Sequence, residues 1–169
     1  MNVGYFRQLA QYNAWANGRI YTAAAELSDG ERKAKQPSFF GSIHATLNHI
    51  LVGDRIWLSR LTGKPHGIAA LDQELYADFE ELRAARVTED ERLIAVVDSY
   101  AEADLSDKLT YCNMAGQDKC APMVQALGHL FNHQTHHRGQ VHGLLSATSV
   151  APPSLDMIHL AWDEPAVRR

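Results

Sequence analysis

The sequence predicts an all-α protein built as a four-helix bundle, and three observations support this. Apolar residues recur at helical spacing in four long stretches of the 169-residue chain. Long connections precede and follow the third stretch, and no alternation of strands and helices is visible. The length lies within the usual range of one domain, so we expect residues 1–169 to form a single helical-bundle domain.

The first two predicted helices cover residues 3–27 and about 42–61. In the first, apolar side chains recur at steps of three and four, and the sequence SDG at 28–30 is typical of a helix end. The second helix follows Pro37, and the turn residues TGKP at 62–65 close it. Each helix is therefore expected to present an apolar face to a common core.

The third predicted helix covers about 73–103. A break near Val87 and Thr88 is compatible with the sequence, because a threonine followed by three acidic residues resembles a new helix N-terminus. After it, residues 108–121 alternate weakly around Gly116, which predicts a small hairpin or an irregular loop.

The fourth predicted helix begins at Pro122, which suits a first helical turn, and continues to about Ser146. Pro152 and Pro153 stop any extension of it. A short terminal helix or an extended tail is expected over residues 155–162, packed on the bundle.

Composition excludes several classes of partner. Sixteen Lys and Arg against 20 Asp and Glu give a formal charge of -4, which offers no general attraction for nucleic acid. No apolar run reaches about 18 residues and the N-terminus lacks a signal-peptide pattern, so we expect a cytoplasmic protein without a membrane partner. A hairpin could bring Cys112 and Cys120 opposite each other, but a reducing cytosol favours free thiols.

Histidine is the unusual residue of this chain. Five of its nine histidines fall within 14 residues of the fourth helix: His129, His133, His136, His137 and His142. At 100° per residue, His133 and His137 lie in or at the edge of the apolar arc, one turn apart. His136 lies on the polar side of the helix and His129 on the boundary. The latter two are expected to face solvent or to support a ligand.

Two imidazoles at positions i and i+4 on an inward face can bind one divalent ion. The spacing alone fits equally a histidine-rich surface or core imidazoles bonded to neighbours, so a third ligand is needed. On the second helix, His49 replaces an apolar residue in a stripe of buried type and is the better third ligand. His44 groups with the polar residues Asn48 and Arg55 and is expected to be solvated.

Asp54 also falls in an apolar stripe of the second helix. A buried carboxylate is costly unless it is paired or hydrogen-bonded. It therefore either orients a ligand imidazole or lies near the metal, or it forms a salt bridge between helices or accepts a buried N–H. The sequence leaves these interpretations open.

Four segments carry a resemblance that extends from end to end of the chain: YNAWANGRI at 12–20, SIHATLNHILVGDRIWLSR at 42–60, HLFNHQTHHRGQVH at 129–142 and PPSLD at 152–156. On these segments the chain resembles the DinB/YfiT-like family of bacterial metal-binding four-helix proteins. The resemblance implies that His49, His133 and His137 hold a divalent ion such as zinc, nickel or iron. It also implies an up-down-down-up bundle and a homodimer.

Three neutral imidazoles leave an ion its charge of about +2 and at least one open position, as in catalytic sites. The leading interpretation is therefore a metal-dependent enzyme acting on a small molecule. Similar proteins work by hydrolysis with metal-bound hydroxide, or by S-transfer from a metal-bound low-molecular-weight thiol. The alternative is a non-catalytic metal-binding sensor or stress-response protein, and a plain helical scaffold is the third interpretation.

No catalytic residue can be assigned from the sequence, because nothing ties a serine to a histidine and an acid. Gln134 and Arg138 are polar residues within the apolar arc of the fourth helix. Either could bind an anionic substrate or a carboxylate of a cofactor. The alternative is that they pack against other helices or across a dimer seam.

Overall fold

The computed structural model describes residues 2–163. Four main helices and a small hairpin before the last of them confirm the predicted fold class. In chain order the elements are α1 (Val3–Ala25), α2 (Asp29–Lys33), α3 (Ile43–Thr62), α4 (Phe79–Asp98), a 3-10 helix (Glu102–Ser106), β1 (Lys108–Cys112), β2 (Asp118–Pro122), α5 (Met123–Leu145), a second 3-10 helix (Met157–His159) and α6 (Leu160–Asp163).

The main helices run up, down, down and up. Helix α1 is antiparallel to α4, because Arg7 lies by Asp98 and Tyr21 stacks on Phe79. Helix α1 is parallel to α5: Phe6 stacks on Phe131, and further along Asn17 bonds Arg138. Helices α3 and α5 are antiparallel, because the His49 ring contacts the His137 ring and, further along α3, the Trp57 ring contacts His129. This arrangement is the one that the family resemblance implies.

Side-chain caps set the helix ends. Asn2 caps α1, Ser42 caps α3 and Asp78 caps α4, each by accepting a backbone N–H three residues on. Gly63 ends α3 in the left-handed conformation, at φ 70°, which a glycine adopts without steric cost. A five-residue helix, α2, begins with a capping box between Ser28 and Glu31. The sequence predicted only a helix end in this region.

The third predicted helix corresponds to α4, which is shorter than predicted and does not break. It begins at Phe79 rather than near residue 73, and the Thr88 hydroxyl donates to the Ala84 carbonyl within an unbroken helix. The preceding segment is held as a loop, because the side-chain oxygen of Asn48 accepts the backbone N–H groups of Leu75 and Tyr76. Those donors are therefore not free for helical bonding.

The hairpin pairs Thr110 with Cys120 and Cys112 with Asp118. The two cysteines are thus not opposite each other, and both are free and exposed. The turn contains Gly116 at φ 74°, as the sequence analysis placed it.

A buried polar layer divides the core into two apolar clusters. One cluster surrounds Ile20, Leu47 and Leu82, and the other surrounds Phe6, Leu58 and Leu127. The layer between them consists of Asn13, Asn17, Asp54, Arg86, Asp90, Gln134 and Arg138. A smaller group, Val52 and Ile56 on α3 with Ile68, is covered by the loop after α3. This part of the apolar surface of α3 is therefore covered within the chain.

Within the described part of the chain, no helix combines the length and the apolar character that crossing a membrane requires.

Candidate metal centre

Three imidazoles from two antiparallel helices meet at one point. His49 on α3 and His133 and His137 on α5 each offer a ring nitrogen, and these nitrogens lie within 4.8 Å of one another. The ring centroids of His133 and His137 are 4.3 Å apart, as expected for an i, i+4 pair on one helix face. The three residues that the sequence analysis selected are thus brought together, and the group could hold a metal ion.

The rings of His49 and His137 are held by their Nδ1 atoms. His49 Nδ1–H donates to the Leu71 carbonyl at 2.8 Å, and His137 Nδ1–H donates to Oε1 of Gln140 at 2.8 Å. Both Nε2 atoms therefore carry a lone pair, and they face each other at 3.2 Å. Two acceptors cannot bond each other without a proton or cation between them.

The spacing of these nitrogens fits a zinc-like ion. With bonds of 2.0–2.1 Å in tetrahedral geometry, two ligand nitrogens lie about 3.3 Å apart. His133 offers the third ring nitrogen of the group, within 4.8 Å of the other two. Its Nδ1 is buried and has no hydrogen-bond partner among residues 2–161, and a buried nitrogen without a partner is costly unless it is bound to something.

Gly53 makes the room for His133. A Cβ at this position would lie 2.6 Å from Cε1 and 3.1 Å from Nδ1 of the His133 ring. A glycine inside a helix costs about 1 kcal/mol relative to alanine and usually has a packing reason. Here the reason is the imidazole that lies directly against the α3 backbone. Gly53 was not among the residues predicted from the sequence, although a glycine inside a helix was the available signal.

All three imidazoles are neutral at neutral pH. Burial, and secondarily the neighbouring imidazoles, lower the pKa of His133 to about 3. Burial also lowers the pKa values of His49 and His137. The neutral ring is the form that binds metals, so the apo site is set up for a cation rather than for a proton.

One side of the site is closed by an aromatic ring and the other opens to a cleft. The Phe40 ring stacks on His49, with centroids 3.9 Å apart. On the open side lies a cleft of about 430 Å³, lined by His49, Gly53, Ile56, Trp57, Arg60, Leu71, Asn113, Met114, Ala115, His129 and His133. The hairpin loop supplies Asn113 and Met114, so α3, α5 and the hairpin together form the cleft.

The other histidines have different surroundings. His129 is exposed, lines the cleft and packs against Trp57. His136 is exposed and accepts from Nε2 of Gln140, whose Oε1 holds His137. The expectation for His44 was wrong: it is 1% exposed, because the loop after α3 covers it and its Nε2–H donates to the Tyr76 carbonyl.

Asp54 forms a salt bridge between helices, one of the interpretations that the sequence left open. Its Oδ2 accepts from Arg86 at 2.5 Å, and Arg86 also pairs with Asp90 at 3.1 Å. Burial raises the pKa of Asp54 to about 6, and the Arg86 guanidinium opposes this shift. The group of residues that could hold an ion does not include Asp54.

Gln134 and Arg138 lie inside the bundle, 0% and 2% exposed, and do not line the cleft. Arg138 donates to the side-chain oxygens of Asn13 and Asn17 on α1, and Asn17 donates to Asp90 on α4. The contacts of Arg138 are therefore those of helix packing, the alternative to binding an anionic substrate.

Comparison with known proteins gives a consistent result. A model of the DinB family matches residues 1–167. Protein DinB of Bacillus subtilis (strain 168) is 27% identical over 155 residues, which cover 88% of this chain and 89% of that protein. A crystal structure of a DinB-like protein from Bacillus cereus ATCC 10987 is 18% identical with a TM-score of 0.63, covers 82% of this chain and 89% of the other, and supports the fold. Because the family match spans nearly the whole sequence, the chain belongs to the DinB family.

Proposed function

We propose that this protein is a divalent-metal-dependent enzyme that acts on a small molecule, with His49, His133 and His137 as the metal ligands. The observation that carries the proposal is the pair of Nε2 lone pairs facing each other at 3.2 Å, beside an open cleft that His49 and His133 line. Three imidazoles add no negative charge, so a bound ion keeps its full charge and a position for another ligand. Zinc, nickel and iron are all compatible with imidazole ligands.

The protein's own groups position the site. The Leu71 carbonyl and the Gln140 amide fix the rings, and Phe40 shields His49 from water on one side. A divalent ion bound here would lower the pKa of a water molecule or a thiol and so supply a nucleophile at neutral pH. The cleft would hold the electrophilic partner against apolar side chains such as Trp57 and Met114.

Two reaction classes fit this arrangement, namely hydrolysis and S-transfer from a low-molecular-weight thiol. The alternative is a non-catalytic metal-binding sensor or stress-response protein, which needs neither an open position nor a substrate cleft. The cleft beside the imidazoles favours the enzyme, because a sensor site filled by four protein ligands would be closed.

The test begins with metal binding. Chelator-treated protein is titrated with zinc, nickel and iron(II), and wild type is compared with His137→Ala and His136→Ala. We expect one ion per chain, lost in His137→Ala and retained in His136→Ala, whose ring is exposed. Equal losses in both variants would contradict the assignment of ligands.

Loaded protein is then assayed for hydrolysis of activated esters and for conjugation of thiols to an electrophile such as 1-chloro-2,4-dinitrobenzene. Turnover that needs metal and disappears in His137→Ala supports the enzyme. Stoichiometric metal without turnover of any ester or thiol would favour the sensor.

The homodimer and the cytoplasmic location stay predictions that rest on family resemblance and composition. Light scattering coupled to size-exclusion chromatography measures the first directly: a mass near 38 kDa supports it, as twice the 18.8 kDa chain, and a mass of one chain contradicts it.

A further inference from the structure

Arg60 lines the same cleft as the histidines, farther along α3. It follows Gly53 by seven residues, or two helical turns, and therefore lies on the same helix face. The rise between the two positions is about 10 Å. One end of the cleft thus holds the imidazoles and the other end holds a guanidinium.

The guanidinium packs against two aromatic rings that also contact each other, with centroids 5.4 Å apart. Its central carbon lies 4.5 Å from the Trp57 ring on α3 and 4.6 Å from the Tyr111 ring on β1. Stacking of this kind restrains the plane of an arginine while leaving its N–H donors available. Arg60 is therefore a pre-organised cation in the wall of the cleft.

Arg60 has no acidic partner among residues 2–161. The neighbouring Arg55, by contrast, pairs with Glu89 at 3.3 Å and donates to the Tyr76 hydroxyl. A half-buried guanidinium with five donors is satisfied either by water or by an anion, and its planar fork matches a carboxylate best.

The wall between the two ends is mainly apolar, with Ile56, Trp57, Leu71 and Met114 along it. A ligand that spans the cleft would therefore bury an apolar middle part. Its two ends would meet a cation at Arg60 and the imidazoles at the other end.

We propose that Arg60 binds the carboxylate of the small-molecule ligand, and that this ligand is an organic acid with a short apolar body. The role of its other end rests on the proposed function, because that end would react at the histidines. The carboxylate site itself needs no metal, so the two claims can fail separately.

The first experiment uses chelator-treated protein. The side-chain Nε–H resonances of [15N]arginine are followed during titration with hexanoate and with the neutral analogue hexan-1-ol. We expect a saturable shift of the Arg60 resonance with hexanoate only, and an affinity for hexanoate at least about tenfold weaker in Arg60→Gln. Equal binding of the two probes, or unchanged hexanoate binding in Arg60→Gln, would overturn the proposal.

Two further variants control for folding and for general charge. Arg60→Lys keeps a cation in place and should retain part of the preference for hexanoate. Lys64→Gln removes the same charge from the exposed loop just after α3 and should leave the affinity unchanged. A loss in Lys64→Gln equal to that in Arg60→Gln would mean that the general field, and not Arg60, attracts the anion.

The second experiment links the two ends of the cleft. Cobalt(II)-loaded protein is titrated with 6-mercaptohexanoate, 8-mercaptooctanoate and the matching mercaptoalcohols, and thiolate binding is read from the near-ultraviolet charge-transfer band. We expect the acids to bind more tightly than the alcohols in wild type but not in Arg60→Gln. Cobalt that fails to bind would contradict the metal site alone, whereas thiol binding without preference for the acids would overturn the role of Arg60.

Discussion

The Nε2 atoms of His49 and His137 lie 3.2 Å apart, while the Nδ1 atom of each ring is already engaged. The Leu71 carbonyl and the Gln140 amide fix the tautomers, so both facing atoms are acceptors. In the apo protein this contact is unfavourable, because no donor lies between the atoms. The fold therefore maintains two facing lone pairs that a cation or a proton can satisfy, and the lowered pKa values of the rings disfavour the proton.

Gly53→Ala separates metal binding from folding. The new methyl group would lie 2.6 Å from the His133 ring and must displace it, while removal of a helical glycine stabilises α3 by up to about 1 kcal/mol. We expect zinc affinity, measured by calorimetry, to fall at least about tenfold. The free energy of unfolding of the apo protein should fall by no more than the energy needed to move the His133 ring.

The matched control is Gly139→Ala on α5, where a Cβ would meet nothing within 4 Å. This variant should gain stability and keep its zinc affinity. Unchanged zinc affinity in Gly53→Ala would show that the His133 ring does not need its observed position.

Gln140→Leu tests the hydrogen bond that orients His137. Loss of an outer partner of a ligand imidazole typically costs 10–100-fold in metal affinity, and we expect a loss in this range. Competition with a chromophoric chelator gives the affinity. Gln125→Leu, on an exposed position of the same helix, should leave it unchanged. If both variants bind zinc like wild type, the His137 ring is held by packing alone.

Helical periodicity was sufficient to find the three imidazoles, because each lies on the inward face of a long helix whose phase the apolar residues define. His44 was misjudged for a related reason. Its burial comes from the loop after α3, which Asn48 fastens to the helix, and nothing in the periodicity of α3 reveals a loop that folds back. The Leu71 carbonyl that holds His49 belongs to the same loop and was equally hidden.

For the buried polar residues, the type of partner could be predicted from the sequence, but not which residue supplies it. A buried Asp54 required a cation or a hydrogen-bond donor, but which helix supplies it depends on the packing of α3 against α4. The predicted start of the third helix near residue 73 was wrong, because the Asn48 side chain on α3 accepts the backbone N–H groups of residues 75 and 76. Such long-range hydrogen bonds have no local sequence signal.

The stability of the apo protein should depend on pH through His133. Its pKa is about 3 in the folded chain and about 6.5 in an unfolded one, so between these values only the unfolded chain binds the proton. The free energy of unfolding is therefore highest above pH 6.5 and falls as the pH is lowered through this window. For one group the slope is at most about 1.4 kcal/mol per pH unit.

Urea denaturation of chelator-treated protein at pH 7.5, 6.5 and 5.5 measures this slope. His133→Asn removes the group, and we expect its stability to fall less steeply with acid than that of wild type. The same pH dependence in both proteins would show that His133 protonates in the folded state as readily as in the unfolded chain.

Asp54→Asn separates the ion pair from the metal site. The change leaves the buried Arg86 with Asp90 as its remaining acidic partner among the described residues. Breaking a buried pair typically costs about 3–5 kcal/mol. We therefore expect the free energy of unfolding to fall by an amount near the lower end of this range. Zinc affinity of the folded variant should stay within about threefold of wild type, because the ion-binding group contains only the three imidazoles. His49→Ala should behave in the opposite way, with zinc binding lost and the core pair intact. A folded Asp54→Asn protein whose zinc affinity falls tenfold would show that this carboxylate acts on the ion, and the polar layer of the core would then belong to the site.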